Sequence, residues 1–358
     1  MSLPEVPAAA PLGPRRRGPA LHPMVLPQPM LVPVIDANAL LVMGCDMVKR
    51  DRQQDLVTGL AATGRANPHI AAHVPSEIDR HLPRLAKHNK VPEAQVRRLL
   101  DEVILPSARV VDLEIRDHLS PHNKRILHVD LELPKDLRGD PDDAPTMALA
   151  EFLAPAVIIT ADSVFTRFGF AASAADWIPI AKDLLRMVGL EADLADAAWL
   201  TEFAMRLLAS GARELAGLAA RHPWWAGAAL AAALWFCHRR GYLKGDRWRE
   251  NAAHLWELAK PLLEKANTAL LDQARIRDAL IIVEAPAYPI PEQLAARHLA
   301  RCGRSLTPAE LRDALASRGH QIPALELKRE MSTHRSFVRE PGDRYTVGRP
   351  AHLALPAL

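Results

Sequence analysis

Acidic side chains stand at four places in the first half of this chain where their type and spacing could do chemistry. They are Asp36 in VPVIDANALL, Glu77 in HVPSEIDRHL, the group Asp140, Asp142 and Asp143 in RGDPDDAPTM, and Asp162 in AVIITADSVF. Carboxylates brought together suit a hard divalent cation such as Mg²⁺ or Mn²⁺, which takes oxygen ligands and retains part of its water shell. An ion held in this way activates water and offsets charge on a leaving oxygen. A soft-metal set is missing: the three cysteines, Cys45, Cys237 and Cys302, are far apart and show no Cys-x-x-Cys spacing. That usage argues against a thiolate zinc site or a disulfide framework and fits a reducing, cytoplasmic compartment. Taken singly, each acid has a plainer explanation. Asp36 and Asp143 could cap helices, Asp162 could sit in a turn, and Glu77 could be one charge on a solvated helix face.

The elements that must position these acids are legible around them. Asp36 and Asp162 follow runs rich in β-branched residues, 31–35 and 157–160, which read as buried parallel strands ending on carboxylates. In an open α/β sheet, ligand sites lie at the carboxyl ends of the strands, where acids distant in sequence converge. Between Met30 and Phe170 strand-like and helix-like stretches alternate. A mostly helical stretch runs to Gly64, a short strand in HIAAHV leads into the helix carrying Glu77, and a further helix spans about Pro92 to Val103. A strand in ARVVDLEI comes next, RILHVDLEL adds an expected edge strand, and DAPTMALAEFLA is a helix with Asp143 as N-cap. Such alternation implies right-handed crossovers and a parallel sheet covered by helices.

A strand followed by Asp36 and Asn38, a helix-borne Glu77, a DPDDAP segment opening a helix, and a strand ending in Thr160-x-Asp162 together resemble the PIN-domain nucleases. The resemblance covers roughly residues 30–170, less than half of the chain. It implies a small three-layer α/β/α sandwich around a parallel sheet, and metal-dependent cleavage of RNA, usually single-stranded, by metal-activated water. Asp36, Glu77, Asp143 and Asp162 become the candidate catalytic residues. Asp36, Asp143 and Asp162 form the metal-facing core, with Asp142 as the alternative to Asp143. Asn38, Asp140 and Thr160 are expected in support: Asn38 orienting Asp36 or a water, Asp140 shaping the turn.

The remainder of the 358 residues extends this domain plan, and 49% apolar content is ample for folded cores. Residues 1–28 read as a disordered Pro- and Arg-rich tail, 29–172 as the PIN-like domain and 173–286 as an α-helical region. Within the last, the fifteen apolar residues Pro223 to Cys237 carry Trp at both ends and basic residues after them. They fall short of the ~20 that a bilayer needs, so a buried helix is favoured over a membrane segment. Residues 287–350 read as three helices and a hairpin, resembling a winged helix-turn-helix module with Lys328, Arg329, Arg335 and Arg344 as nucleic-acid-binding candidates; 351–358 is a tail. Eleven Lys or Arg against seven Asp or Glu between Pro291 and Pro350, and a net charge of +3 overall, do not by themselves diagnose a DNA partner. Two function classes follow. One is an endoribonuclease whose C-terminal module binds nucleic acid or protein, suited by its Ala-, Arg- and Pro-rich composition to a bacterial setting. The other is a non-catalytic DNA-binding regulator that uses the PIN-like fold as an interaction platform.

Overall fold

The computed structural model describes residues 32–171 apart from 53–54, 64–65, 130–131, 133 and 135–137, together with 182–186, 188–189, 235 and 280–351. The segment 1–28, nearly all of 173–286 and the tail from 352 on lie outside the described residues, and with them the 223–237 stretch except for Trp235. Apart from Trp235, the described residues belong to one compact unit built from both ends of the described chain.

Numbered along the described residues, the elements are β1 (Val32–Ile35), α1 (Ala37–Arg50), α2 (Leu56–Ala62), β2 (His69–Ala71), α3 (Val74–Asn89) and α4 (Glu93–Leu99). A π-turn at Leu100–Ile104 and a 3₁₀ turn at Leu105–Ser107 lead into β3 (Arg109–Val111) and the short α5 (Ile115–His118). Then come α6 (Ala144–Leu153), β4 (Ala156–Ile159) and α7 (Ser163–Arg167). The C-terminal stretch supplies α8 (Pro291–Cys302), α9 (Pro308–Ala316), α10 (Ala324–Thr333), β5 (Phe337–Glu340), β6 (Arg344–Val347) and β7 (Arg349–Pro350).

The main sheet has the order β4-β1-β2-β3-β7. Its first four strands pair in parallel, and β7 adds an antiparallel edge. Every residue of β1 and β4 is buried, as expected of parallel strands covered on both faces, and this is why their sequences read as unbroken apolar runs. In α6 eight of ten residues are buried, because it lies among β1, β2 and β4 on one side and α8 on another. A helix enclosed on all sides has no solvent stripe to keep polar.

The three helices and the hairpin expected from 287–350 form, including the reciprocal capping box of Thr307 and Glu310 and the left-handed Gly303 that ends α8. What the sequence did not announce is where this stretch packs. After the hairpin, Gly348 turns the chain so that Arg349 and Pro350 pair with Val110 and Arg109 of β3. Gly348 has φ +64, and a Cβ there would meet the Val110 carbonyl oxygen at 2.6 Å, so only glycine fits. Arg109 fastens the same joint, donating from Nε to the Val347 carbonyl at 2.8 Å and from Nη2 to the Gly348 carbonyl at 2.6 Å.

One expected strand does not form in the part of it that is described. The described start of RILHVDLEL belongs to a 3₁₀ turn, Asn123–Leu127, and the edge beside β3 is taken by β7. A local polar contact outweighs β propensity here. The Glu151 carboxylate accepts from the Ser120 backbone N–H and hydroxyl and from the Asn123 side-chain amide, holding this turn against α6. Among the described residues no helix is long and apolar enough to cross a membrane.

Candidate active site

The backbone brings the two strand-end acids together before any side chain does. The N–H of Asp36 donates to the Ile159 carbonyl at 3.0 Å, so the carboxyl ends of β1 and β4 are tied where each strand gives way to a helix. Asp36 is the N-cap residue of α1 but makes no side-chain cap bond. Its Oδ2 instead accepts from the Thr160 hydroxyl at 3.0 Å, and the Thr160 Oγ1 accepts from the Asp162 N–H at 2.9 Å. Asp162 does cap α7, its Oδ1 accepting from Val164 N–H, while Oδ2 accepts from the Asn38 side-chain amide at 3.2 Å. Thr160 and Asn38 therefore lace the two acids into one network, and Asn38 serves Asp162 rather than Asp36.

Glu77 enters from the first turn of α3. It is buried, contrary to a solvated-face reading, and stands 3.3 Å from His73 Nε2 one turn earlier, without hydrogen-bond geometry. Asp143 sits at the start of α6, buried and without a side-chain cap bond. Asp142 turns outward to Arg80 at 3.1 Å, and Asp140 shapes the turn by accepting from Asp142 N–H at 3.0 Å. Of the candidate acids, Asp36, Glu77, Asp143 and Asp162 are thus gathered, Asp140 is close to Asp143, and Asp142 stands apart.

Electrostatics follow from this crowding. Burial, then the charges of Glu77 and Asp162, raise the Asp36 carboxyl to about 6 against the stabilising hydroxyl of Thr160. Burial again, then the neighbouring charges of Asp36, Asp162, Asp140 and Glu77, push Asp143 to about 9. Buried like charges disfavour one another's ionised forms, and a divalent cation among them reverses that balance.

Fit to such an ion can be judged from the oxygen atoms. Asp36 Oδ1, Glu77 Oε2 and Asp143 Oδ2 are buried and accept no hydrogen bond among the described residues. Buried carboxylate oxygens without partners are costly, and hard oxygen donors are what Mg²⁺ and Mn²⁺ take. The acids approach without closing, since among the described residues no three His, Cys, Asp or Glu side chains already stand in ligating geometry. The donor chemistry is the kind such an ion takes.

The C-terminal candidates are placed differently. Lys328 pairs with Asp343 at 2.7 Å and Arg329 with Glu330 at 2.8 Å. Arg344 pairs with Glu310 at 3.1 Å and donates to the Ser305 carbonyl at 2.8 Å. Arg335 reaches across to the loop after β3, meeting Asp112 and Glu114 at 3.2 and 3.3 Å and donating to the Leu113 carbonyl. All four are engaged with neighbouring residues. Sequence reading missed His73, although its spacing of four from Glu77 on one helix puts the two on one face.

Residues 34–183 match the family model described as PIN domain. The match takes in Asp36, Glu77, Asp143 and Asp162 and stops well before the C-terminal helices. A PIN domain with a mostly parallel sheet and flanking helices is an α/β fold, and PIN domains are in general nucleases acting on nucleic acid with divalent metals. No curated protein and no solved structure matches the chain.

Proposed function

We propose that this protein is a metal-dependent endoribonuclease that cleaves single-stranded RNA in the cytoplasm. The single observation that carries the reading is the set of three buried carboxylate oxygens, Asp36 Oδ1, Glu77 Oε2 and Asp143 Oδ2, that accept no hydrogen bond among the described residues and whose carboxyl groups feel one another's charge. Asp36, Asp143 and Asp162 would hold one or two Mg²⁺ or Mn²⁺ ions, with Glu77 completing the rim. When bound, such an ion supplies an activated water and stabilises the charge on the leaving oxygen.

The chain's own residues do the rest. Thr160 holds Asp36 through Oδ2 and leaves Oδ1 buried without a hydrogen bond. Asn38 and the Val164 N–H fix both oxygens of Asp162, so its orientation does not depend on substrate. Burial of Asp36 and Asp143 limits competing water, which strengthens each interaction with the reacting phosphate.

Purified protein incubated with unstructured RNA and Mg²⁺ or Mn²⁺ tests the reading directly. Cleavage that EDTA stops and that Asp36→Asn and Asp162→Asn remove is expected; wild-type rates in both variants would sink it. A DNA-binding role for the C-terminal module has less support, because Lys328, Arg329, Arg335 and Arg344 are each spent on an acidic neighbour.

A further inference from the structure

The helix that brings Glu77 to the acids also carries a row of cations away from them. In α3, Val74, Ile78, Leu82 and Ala86 recur at every fourth position and are buried, so this row is the face turned to the core. Arg80, Arg84 and Lys87 recur at spacings of four and three on the opposite face, and all three are exposed. Glu77, three residues before Arg80, is buried where its charge reaches Asp36. The cations therefore start beside the acids and run roughly 10 Å along the helix axis.

Cations on a helix often serve the helix alone. Lys87 lies in the last turn of α3 and faces the partial negative charge of that end. Arg80 and Arg84 lie in the middle turns, where this field has faded. Asp79, the acid beside them, is drawn aside by Arg97. Arg80 itself meets Asp142 at 3.1 Å, with the two side chains 56% and 64% exposed. A bridge so open to water contributes little and exchanges readily for a stronger partner. It spans the two flanks of the cluster: α3 buries Glu77 and sends Arg80 outward, while the start of α6 buries Asp143 and sends Asp142 outward. Further along α3, Arg84 and Lys87 pair with no acid among the described residues, unlike the four C-terminal cations.

We propose that Arg80, Arg84 and Lys87 bind backbone phosphates of the single-stranded RNA that reaches the acids, and that RNA displaces Asp142 from Arg80. The inference rests on the nuclease reading for its substrate. A guanidinium matches phosphate in geometry and charge, and an ammonium meets it as a point charge. A line of cations that tracks a strand holds it with little regard to sequence. These three are positioning residues: they hold the strand, and the acids act on it.

The test uses the full chain in EDTA, so that RNA is bound without being cleaved. Fluorescently labelled oligouridylate is titrated with the parent and its variants over a range of salt. Arg80→Gln combined with Arg84→Gln should weaken binding by about tenfold or more, each lost phosphate contact lowering the salt slope by about 0.7. Arg80→Lys with Arg84→Lys should keep most of the affinity, because the charge stays. Arg312→Gln with Arg329→Gln removes the same charge from α9 and α10 and should bind as the parent does. Asp142→Asn should tighten binding, and should no longer do so once Arg80→Gln is present. With Mn²⁺ added, the Arg80→Gln, Arg84→Gln variant should show a raised KM and a kcat near the parent's, as for lost uniform binding. A parent without affinity for RNA in EDTA, or a loss matched by the Arg312→Gln, Arg329→Gln variant, overturns the proposal. An Asp142→Asn variant that binds no tighter than the parent removes the displacement. RNA binding that depends on Arg80 and Arg84 in a protein that never cleaves would overturn the nuclease reading and leave this one standing.

Discussion

At the scale of single residues, Asp36 shows how one side chain is kept ready. Thr160 holds one of its oxygens while the other stays buried and unpaired. Removing its charge in Asp36→Asn should lower RNA cleavage by about 100-fold or more, the usual loss when one stabiliser of developing charge is taken away, with the melting temperature unchanged or raised. A pH dependence follows from the same burial. Asp36 and Asp143 titrate at about 6 and about 9, above the ordinary carboxylate range. An acid whose folded-state value is raised contributes stability that is complete below its unfolded value near 4 and is lost as pH rises through the folded one. Metal-free protein should therefore lose stability between pH 5 and 9, and added Mn²⁺ should restore more of it at the upper end, since the ion takes deprotonated ligands. Melting curves with EDTA and with Mn²⁺ across that range check both signs, and a flat difference would count against metal binding at these acids. The acids themselves were legible in the sequence because each follows a strong local signal, a β-branched run or a helix start. The turn of Asn38 toward Asp162 was not, since that contact spans 124 positions and side-chain geometry decides it.

At the scale of elements, local rules explain most of what forms. Apolar runs made β1 and β4, and the Thr307-Glu310 spacing made the start of α9. Misreading began where tertiary contacts outweighed propensity: the 3₁₀ turn Asn123–Leu127 is captured by Glu151, and the vacated sheet edge goes to β7. That edge depends on one backbone conformation. Gly348→Ala places a Cβ 2.6 Å from the Val110 oxygen at a positive φ, and should cost about 1–3 kcal/mol, the range for a strained backbone position. Chemical denaturation would show it, and protection of the Val110 and Arg349 amides from hydrogen exchange should fall first. Unchanged stability would mean that β7 is dispensable.

At the scale of the whole molecule, the C-terminal helices are built into the α/β unit rather than appended to it. Their seam carries His118 Nε2 3.1 Å from His334 Nε2, packed with Phe152 and Phe337. Burial, then the charge of His334, holds His118 at about 4, and burial followed by Arg335 lowers His334 as well, against the opposing pull of Asp117, Glu330 and Asp112. A depressed histidine contributes stability that is complete above the unfolded value near 6.5 and is lost as pH falls through the folded one. The seam should loosen between pH 6.5 and 4, and a His118→Phe variant should flatten that loss in acid melting curves. Truncation before Pro291 strips α6 of Arg297 and Arg301, which donate to its Phe152 and Leu153 carbonyls, and β3 of its neighbour, and should yield a chain that melts lower or fails to purify folded. None of this was legible in the sequence, where a hairpin with basic residues suggested a separate module, because nothing local records a partner on β3. Arg109 and Gly348 are 239 positions apart, and that distance has a consequence for how the protein is made. While the ribosome is still extending the chain, β3 has emerged as the rim of an unfinished sheet, offering open N–H and C=O groups to any passing strand. The interval before residues 349 and 350 arrive is the period in which a nascent chain of this protein is most exposed to mispairing, and in which a chaperone that shields that rim would do most for its yield.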